Sequence, residues 1–462
     1  MKDANDVNQI IERKLHILEG DKPLPRRRSN GSVYATIGSD IECDKEIFDS
    51  YSYDGWQSIH HDLLILCAAV EYADRRWARS VRQWARRFHI TVPVMEISTW
   101  QDKNVERNLR ETLRHITGDE WRVSFVRFEG SAADKPRQRP LPFSQPKEFA
   151  IAYSEGLDSF CVSGLYNKED DVAVRVRVAK HKQHRRKDER PFDRLPFQVR
   201  LGSKSHESSA RSRGFKFAAI TAIAAHLSKV SRIIVPESGQ GALGPVLLPL
   251  WNIYPDYRNH PTFFRRMERF IHALLGVELR YEQPRLWCTK GETIADFLAI
   301  PGIKTEQVIK TRSCWQKRAN VGVGGKRRQC GVCAACLLRR MSLQAARVDE
   351  PSEAYAVANL KAEQFSDALP QLKSFKATAT LFDYGYMGAR HLHQLAEMSN
   401  ELPVALRPHV FELAQALGTS TDEVQKNLRH MLLQHADEWA AFLASQGKQS
   451  FLEIWTKGGR HG

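Results

Sequence analysis

Two groups of residues in this 462-residue chain have the types and spacing to do chemistry. The first is Tyr153-Ser154-Glu155-Gly156-Leu157-Asp158-Ser159, set between an apolar run at 149–153 that reads as a strand and a run at 157–166 that reads as a helix. A loop of Ser, Gly and Ser at a helix N-terminus offers backbone N–H groups and hydroxyls to phosphate oxygens, and the helix dipole favours negative charge there. Ser154, Glu155, Gly156, Leu157, Asp158 and Ser159 are therefore the candidate phosphate cradle. The competing reading is a plain strand-to-helix turn in which Asp158 and the serines act as caps. The second group is Cys314-x15-Cys330-x2-Cys333-x2-Cys336, half of the chain's eight cysteines within 23 residues. Four thiolates at this spacing can close around one tetrahedral Zn²⁺, three from the compact 330–336 loop and the fourth from Cys314. A ferredoxin run would continue to Cys-Pro, where this chain has Arg340 and Met341. A nucleobase-deaminase site would need His-x-Glu and Pro-Cys-x-x-Cys, which are absent. A structural zinc knuckle is expected.

The loop resembles the PP-loop of the N-type ATP pyrophosphatases, Ser-Gly-Gly-x-Asp-Ser, with Glu155 in place of the first Gly. A PP-loop followed by a Cys-x-n-Cys-Gly-x-Cys-x-x-Cys knuckle ending in Arg resembles the 7-cyano-7-deazaguanine synthase (QueC) family. Three further stretches carry the resemblance: Arg211-Ser212-Arg213-Gly214-Phe215, Tyr254-Pro255-Asp256-Tyr257-Arg258 and Thr289-Lys290-Gly291-Glu292. They are similar to the family's Arg-Asn-x-x-Phe, Tyr-Pro-Asp-Cys-Arg and Thr-Lys-x-Glu, with Ser212 for Asn and Tyr257 for Cys. The resemblance spans about 149–340, so the chain looks like an enlarged relative of the kind found in Qat and related antiphage operons.

The resemblance implies cleavage of ATP to AMP and pyrophosphate, with AMP passed to the carboxylate of 7-carboxy-7-deazaguanine or a similar small acid. Ammonia, or an amine of a partner protein docked by the flanking regions, would then displace the AMP. The implied cofactors are ATP, Mg²⁺ and Zn²⁺. Asp158 would hold Mg²⁺, and Lys290 or Arg211 would balance the charge developing on the phosphates. The segment Gly239-Gln240-Gly241-Ala242-Leu243-Gly244 fits G-x-G-x-x-G, but Pro245 and Pro249 argue against the helix that a dinucleotide site requires. In a QueC-like sheet this loop would wall the substrate pocket, making Glu237, Gly239 and Gly241, together with Asp256 and Arg258, the candidate substrate-binding residues. Two alternatives stay open. One is a nucleotide- or RNA-binding module with altered catalysis; the other is a PP-loop tRNA-thiolating enzyme, for which Cys161 and Cys288 are the candidate reactive thiols. No Walker A sequence is present.

Those residues need elements to hold them. From 148 to 345 strand and helix signals alternate, predicting an α/β domain with a doubly wound, mainly parallel sheet, which the resemblance makes PP-loop or HUP-like. Residues 1–130 read as an α+β unit with a hairpin near Ser32–Cys43, helices at 62–72 and 104–116, and a strand at 121–128. Residues 131–147 read as a Pro-rich linker, and 346–462 as a helical region whose long helix opens at a capping box, Ser420-Thr421-Asp422-Glu423. The basic run Lys180–Arg190 lacks interleaved aromatics and reads either as a solvated loop or as a phosphate or RNA contact. Lys and Arg number 69 against 54 for Asp and Glu, giving +15, so an anionic partner is expected, with nucleic acid left open. The longest clear apolar run, Leu63–Val70, is eight residues, far short of the roughly 18 needed to cross a bilayer. A cytoplasmic protein, free of membrane and able to form a homodimer, is the expectation.

Overall fold

A computed structural model describes residues 11–20, 31–43, 56–79, 85–129, 146–167, 172–179, 192, 195–202, 205–207, 210–248, 254–316, 321–323, 325–371, 375, 377–400 and 404–459. Most of the Pro-rich segment, the Lys180–Arg190 run and Arg26–Arg28 lie outside them. The chain divides into two compact units. The first comprises Met1–Ala152, Glu169–Val235 and Pro249–Glu282, and the second Tyr153–Lys168, Pro236–Leu248 and Gln283–Gly462.

The first unit contains strands β1 (Glu12–Leu18), β2 (Ser32–Thr36), β3 (Ile41–Cys43), β4 (Arg87–Val94), β5 (Glu120–Arg127), β6 (Phe149–Ala152), β7 (Ala173–Val176), β8 (Val178–Ala179), β9 (Leu195–Val199), β10 (Arg232–Ile234) and β11 (Arg280–Glu282). One sheet runs β2-β1-β4-β5 and a second β11-β10-β6-β7. Every pair in both is parallel. This fits the apolar centres of the strands, since parallel sheets are covered on both faces.

The expected hairpin near Ser32–Cys43 does not form. A turn is present, with the Gly38 N–H donating to the Ile41 carbonyl at 2.8 Å. However, Asp40 takes the Thr36 N–H at 2.9 Å, a donor that a hairpin ladder would use. Strand β2 pairs with β1 in parallel, and β3 runs antiparallel to β9 instead. The N-terminal region is accordingly built on a parallel sheet rather than the expected α+β arrangement.

Helix Ser58–Arg76 carries the Leu63–Val70 run, in which every residue is buried. The helix packs on β4 and on helix Arg213–Leu227. Its Asp62 accepts the Met95 and Glu96 N–H groups and the Trp100 indole N–H. Helix Lys103–Thr117 begins at Asp102, whose carboxylate accepts the Asn104 and Val105 N–H groups, and ends at Gly118 in the left-handed region. A Cβ at Gly118 would lie 2.7 Å from the Tyr254 ring, so glycine is required there on two counts. Beneath these elements lies a closed ion network. Arg86 pairs with Asp74 at 2.6 Å and Asp119 at 2.7 Å, and Arg79 with Asp119 at 2.8 Å.

The second unit holds helices Leu157–Tyr166, Lys290–Leu298, Thr305–Ile309 and Ala334–Ala345, followed by Ala379–Glu397, Arg407–Leu417, Thr421–Gln446 and Phe451–Thr456. The C-terminal region is helical as expected. The Ser420 hydroxyl caps Glu423 N–H at 3.2 Å, and the Glu423 carboxylate takes the Thr419 hydroxyl. Phe365, Phe382, Phe451 and Trp455 pack edge-to-face into one aromatic cluster. Among the described residues no helix is long and apolar enough to cross a membrane.

Candidate active site

The phosphate-loop residues open helix Leu157–Tyr166, with Gly156 as its N-cap. The Ser154 hydroxyl accepts the Gly156 N–H at 3.0 Å, which folds the loop back on itself. Ser159 lies beneath it, its Oγ 3.0 Å from Ser154 Oγ and donating to the Ser154 and Gly156 carbonyls. Helix geometry leaves the amides of the first turn without intrahelical acceptors, the requirement for an anion site. Ser154 and Glu155 are exposed, Ser159 and Leu157 buried. The Glu155 backbone carbonyl accepts the Arg312 N–H at 2.9 Å.

Asp158, in the first helical turn, pairs with Lys290 Nζ at 2.6 Å. Lys290 is only 5 % exposed. Burial acts to lower the pKa of its ammonium, but the Asp158 and Glu237 carboxylates outweigh that effect and raise it. A permanent cation thus stands at the loop, with two carboxylates acting on it. Lys290 opens helix Lys290–Leu298 directly after a capping box: Thr289 accepts the Glu292 N–H at 3.1 Å and Glu292 takes the Thr289 N–H at 2.7 Å. The Thr-Lys-x-Glu stretch is thus also a helix start, which fixes Lys290 at the first helical position.

Gly239–Ala242 and Gly244–Leu247 form single helical turns, a difference from the expectation that prolines would prevent helix there. Pro245 is accommodated because it sits in a first turn, where its missing N–H has no partner to lose. The glycines are placed for close packing. A Cβ at Gly239 would lie 2.5 Å from the Leu286 carbonyl, and one at Gly241 2.1 Å from the Glu237 carboxylate.

The remaining sequence candidates, Arg211, Asp256 and Arg258, belong to the first unit. Arg211 donates to the Tyr254 carbonyl and, at 3.0 Å, to that of Pro255, with its guanidinium 5.7 Å from the Tyr254 ring centre. Burial lowers its pKa. Asp256 and Arg258 bind each other, Nε to Oδ1 at 2.8 Å, and this partner outweighs burial to hold the Asp256 pKa below the usual carboxylate range. The structure therefore assembles the loop, Lys290, Glu237 and the glycines in one unit, and the Arg211–Asp256–Arg258 group in the other.

The four cysteines converge, their Sγ atoms all within 4.8 Å of one another. Cys330, Cys333 and Cys336 are fully buried, and Cys314 partly. Cys314 Sγ accepts the Cys330 N–H at 3.2 Å, and Cys330 Sγ the Cys333 N–H at 3.3 Å. Hydrogen bonds from Cys330, Cys333 and Cys336 hold the Cys314 thiol well below its ordinary pKa. Four sulfurs, amide donors to sulfur and exclusion of water fit a structural Zn²⁺. The centre also braces the loop. Ser313 N–H binds the Gln329 side chain at 2.8 Å, beside Cys314 and Cys330, and the next residue back, Arg312, holds Glu155. Arg339, fully buried, ties Thr311 at 2.7 Å to Glu350 at 2.8 Å.

Burial pushes the Cys161 thiol up to about 12 and raises that of Cys288, so neither is an activated thiolate. Sequence reasoning missed Gln240, Arg312, Arg339, His435 and Glu438. For the last two no local signal exists, because they reach the site from more than 130 residues away along the chain.

Compared with known families, residues 250–347 match the model described as Queuosine biosynthesis protein QueC. These residues form a QueC-like segment. It contains Asp256, Arg258, Lys290 and all four cysteines, and stops short of the 153–159 loop. The QueC likeness points to a PP-loop, ATP-dependent, ligase-like enzyme of the queuosine pathway type. The chain matches no solved structure.

Proposed function

We propose that this chain is an ATP-dependent carbon–nitrogen ligase that adenylates the carboxylate of 7-carboxy-7-deazaguanine. The observation that carries this reading is the Asp158–Lys290 pair, which joins the phosphate-loop helix to the QueC-like segment. A carboxylate oxygen attacks the α-phosphorus of ATP, the bond to the β-phosphate oxygen breaks, and pyrophosphate leaves. The loop hydroxyl of Ser154 and the first-turn amides bind the leaving phosphates, while Lys290 meets the charge that develops on them. Asp158, with Glu237 acting on the same lysine, supplies carboxylate oxygens suited to Mg²⁺, which usually takes one or two carboxylates together with substrate phosphates. Bound Mg²⁺ would neutralise phosphate charge. An amine then attacks the acyl carbon, AMP departs, and the nitrogen loses a proton.

The nucleophile is ammonia, leading on to the nitrile with a second ATP, or an amine of a partner protein, which the large additional regions suit. A role in antiphage defence is part of this proposal for either nucleophile, and its support is the resemblance to enlarged relatives of that kind. The test is pyrophosphate release from ATP in the presence of 7-carboxy-7-deazaguanine, with Asp158→Ala expected to abolish it. Mass spectrometry of the products separates free nitrile from a covalent protein adduct. Tight, salt-sensitive RNA binding without turnover would overturn the ligase in favour of a binding module.

A further inference from the structure

Lys290 is held from behind by residues that lie outside the QueC-like segment. Its backbone N–H donates to Gln240 Oε1 at 2.7 Å. The Gln240 Nε2 in turn meets His435 Nδ1 at 3.1 Å, and His435 Nε2 meets the Leu392 carbonyl at 2.8 Å. A carbonyl only accepts, so Nε2 carries the proton and Nδ1 accepts from Gln240. One helical step further, Glu438 Oε1 takes the Thr289 hydroxyl at 2.5 Å. Gly291 leaves room for it: a Cβ there would lie 2.5 Å from the same oxygen. His435 and Glu438 are three residues apart on helix Thr421–Gln446 and share a face. Between them they grip residues 289 and 240, the cap before Lys290 and the acceptor of its amide.

The lysine side chain is four carbons long and rotamer-rich, so its head group is only as well placed as the backbone from which it starts. Two buried tethers at that start reduce the freedom of the ammonium at the loop.

We propose that His435 and Glu438 are positioning residues for Lys290, which makes the C-terminal helix a working part of the ATP site. The proposal rests on the ligase reading for its catalytic consequence but not for its geometry, and the experiment separates the two. Full-length protein carrying E438A, E438Q, H435L or, as a control on an exposed position of the same helix, L433A is assayed for pyrophosphate release. Each is also treated with limiting acetic anhydride, and acetylation of Lys290 is counted by mass spectrometry. E438A and H435L are expected to lower kcat about 10- to 100-fold with little change in KM for ATP. Both should raise Lys290 acetylation several-fold, whereas E438Q, which still accepts from Thr289, should recover most of the activity. L433A should match wild type in both assays. H435L keeps the test alive if E438A does not fold. Unchanged acetylation in E438A and H435L overturns the positioning role whether or not the protein turns over. Raised acetylation in E438A and H435L, with no turnover by the wild type, upholds the positioning and overturns the ligase.

Discussion

The two units use buried charge differently. In the first, Asp74, Arg86, Asp119 and Arg79 bond to one another, and Asp74 also takes the Ser212 N–H at 2.9 Å. Such a network holds elements together and offers little to a ligand. In the second, Lys290 and Asp158 form a pair beside a loop whose hydroxyl is exposed, and Glu438 is buried among groups that only partly satisfy it. There the four-cysteine centre and the buried Arg339–Glu350 pair do the holding, which leaves the charges at the loop available for chemistry. A buried charge thus signals function when it borders an exposed loop that can receive a ligand, not when it is merely buried.

That contrast can be broken in four ways, beginning with the largest effect. Stripping the metal with a strong chelator, or the substitution Cys333→Ser, should unfold the second unit, because binding and folding energy are the same quantity in a structural zinc site. Limited proteolysis would show loss of protection across 283–459 with the first unit spared. Metal analysis should find close to one zinc per chain and no visible absorbance, and iron would overturn the assignment. Next, Asp119→Ala strands Arg86 and Arg79 in the interior and should cost about 3–5 kcal/mol in denaturant unfolding. If it costs less than about 1 kcal/mol, the first network is not what holds that unit.

Third, Lys290→Ala should lower pyrophosphate release about 100- to 1000-fold, the scale of a lost electrostatic stabiliser, while costing less stability than Asp119→Ala. Equal destabilisation by the two variants would erase the distinction between holding and acting. The smallest effect concerns pH. Burial, reinforced by Glu292, raises the Glu438 pKa from 4.5 to about 7, against opposing hydrogen bonds from Thr289, Gln434 and Gln240. A raised folded-state pKa favours the protonated form. Its stabilising contribution is complete below about pH 4.5 and is lost as pH rises through about 7. E438Q should flatten the stability profile in that window, and a profile unchanged from wild type would remove Glu438 from the titrating groups.

The alternation of strand and helix from 149 to 299 was legible because apolar periodicity and caps are local. Helix Leu157–Tyr166 falls where the sequence puts it. The hairpin was misread because a turn signal reports a change of direction and carries no information about which strand lies alongside. Asp40 and the parallel partner β1 decided that.

By itself the sequence determined the chemistry on offer: a Ser-Glu-Gly-Leu-Asp-Ser loop at a helix start, a lysine at the first position of a capped helix, and four cysteines at metal spacing. Each is encoded within a few residues, where spacing dictates geometry. Only tertiary structure decided which charges meet. The pairing of Asp158 with Lys290, the packing of four sulfurs together and the reach of His435 to Gln240 and of Glu438 to Thr289 are contacts between distant segments. They arise because burying apolar helices brings those segments together, and their polar groups must then find partners or lose their hydration uncompensated.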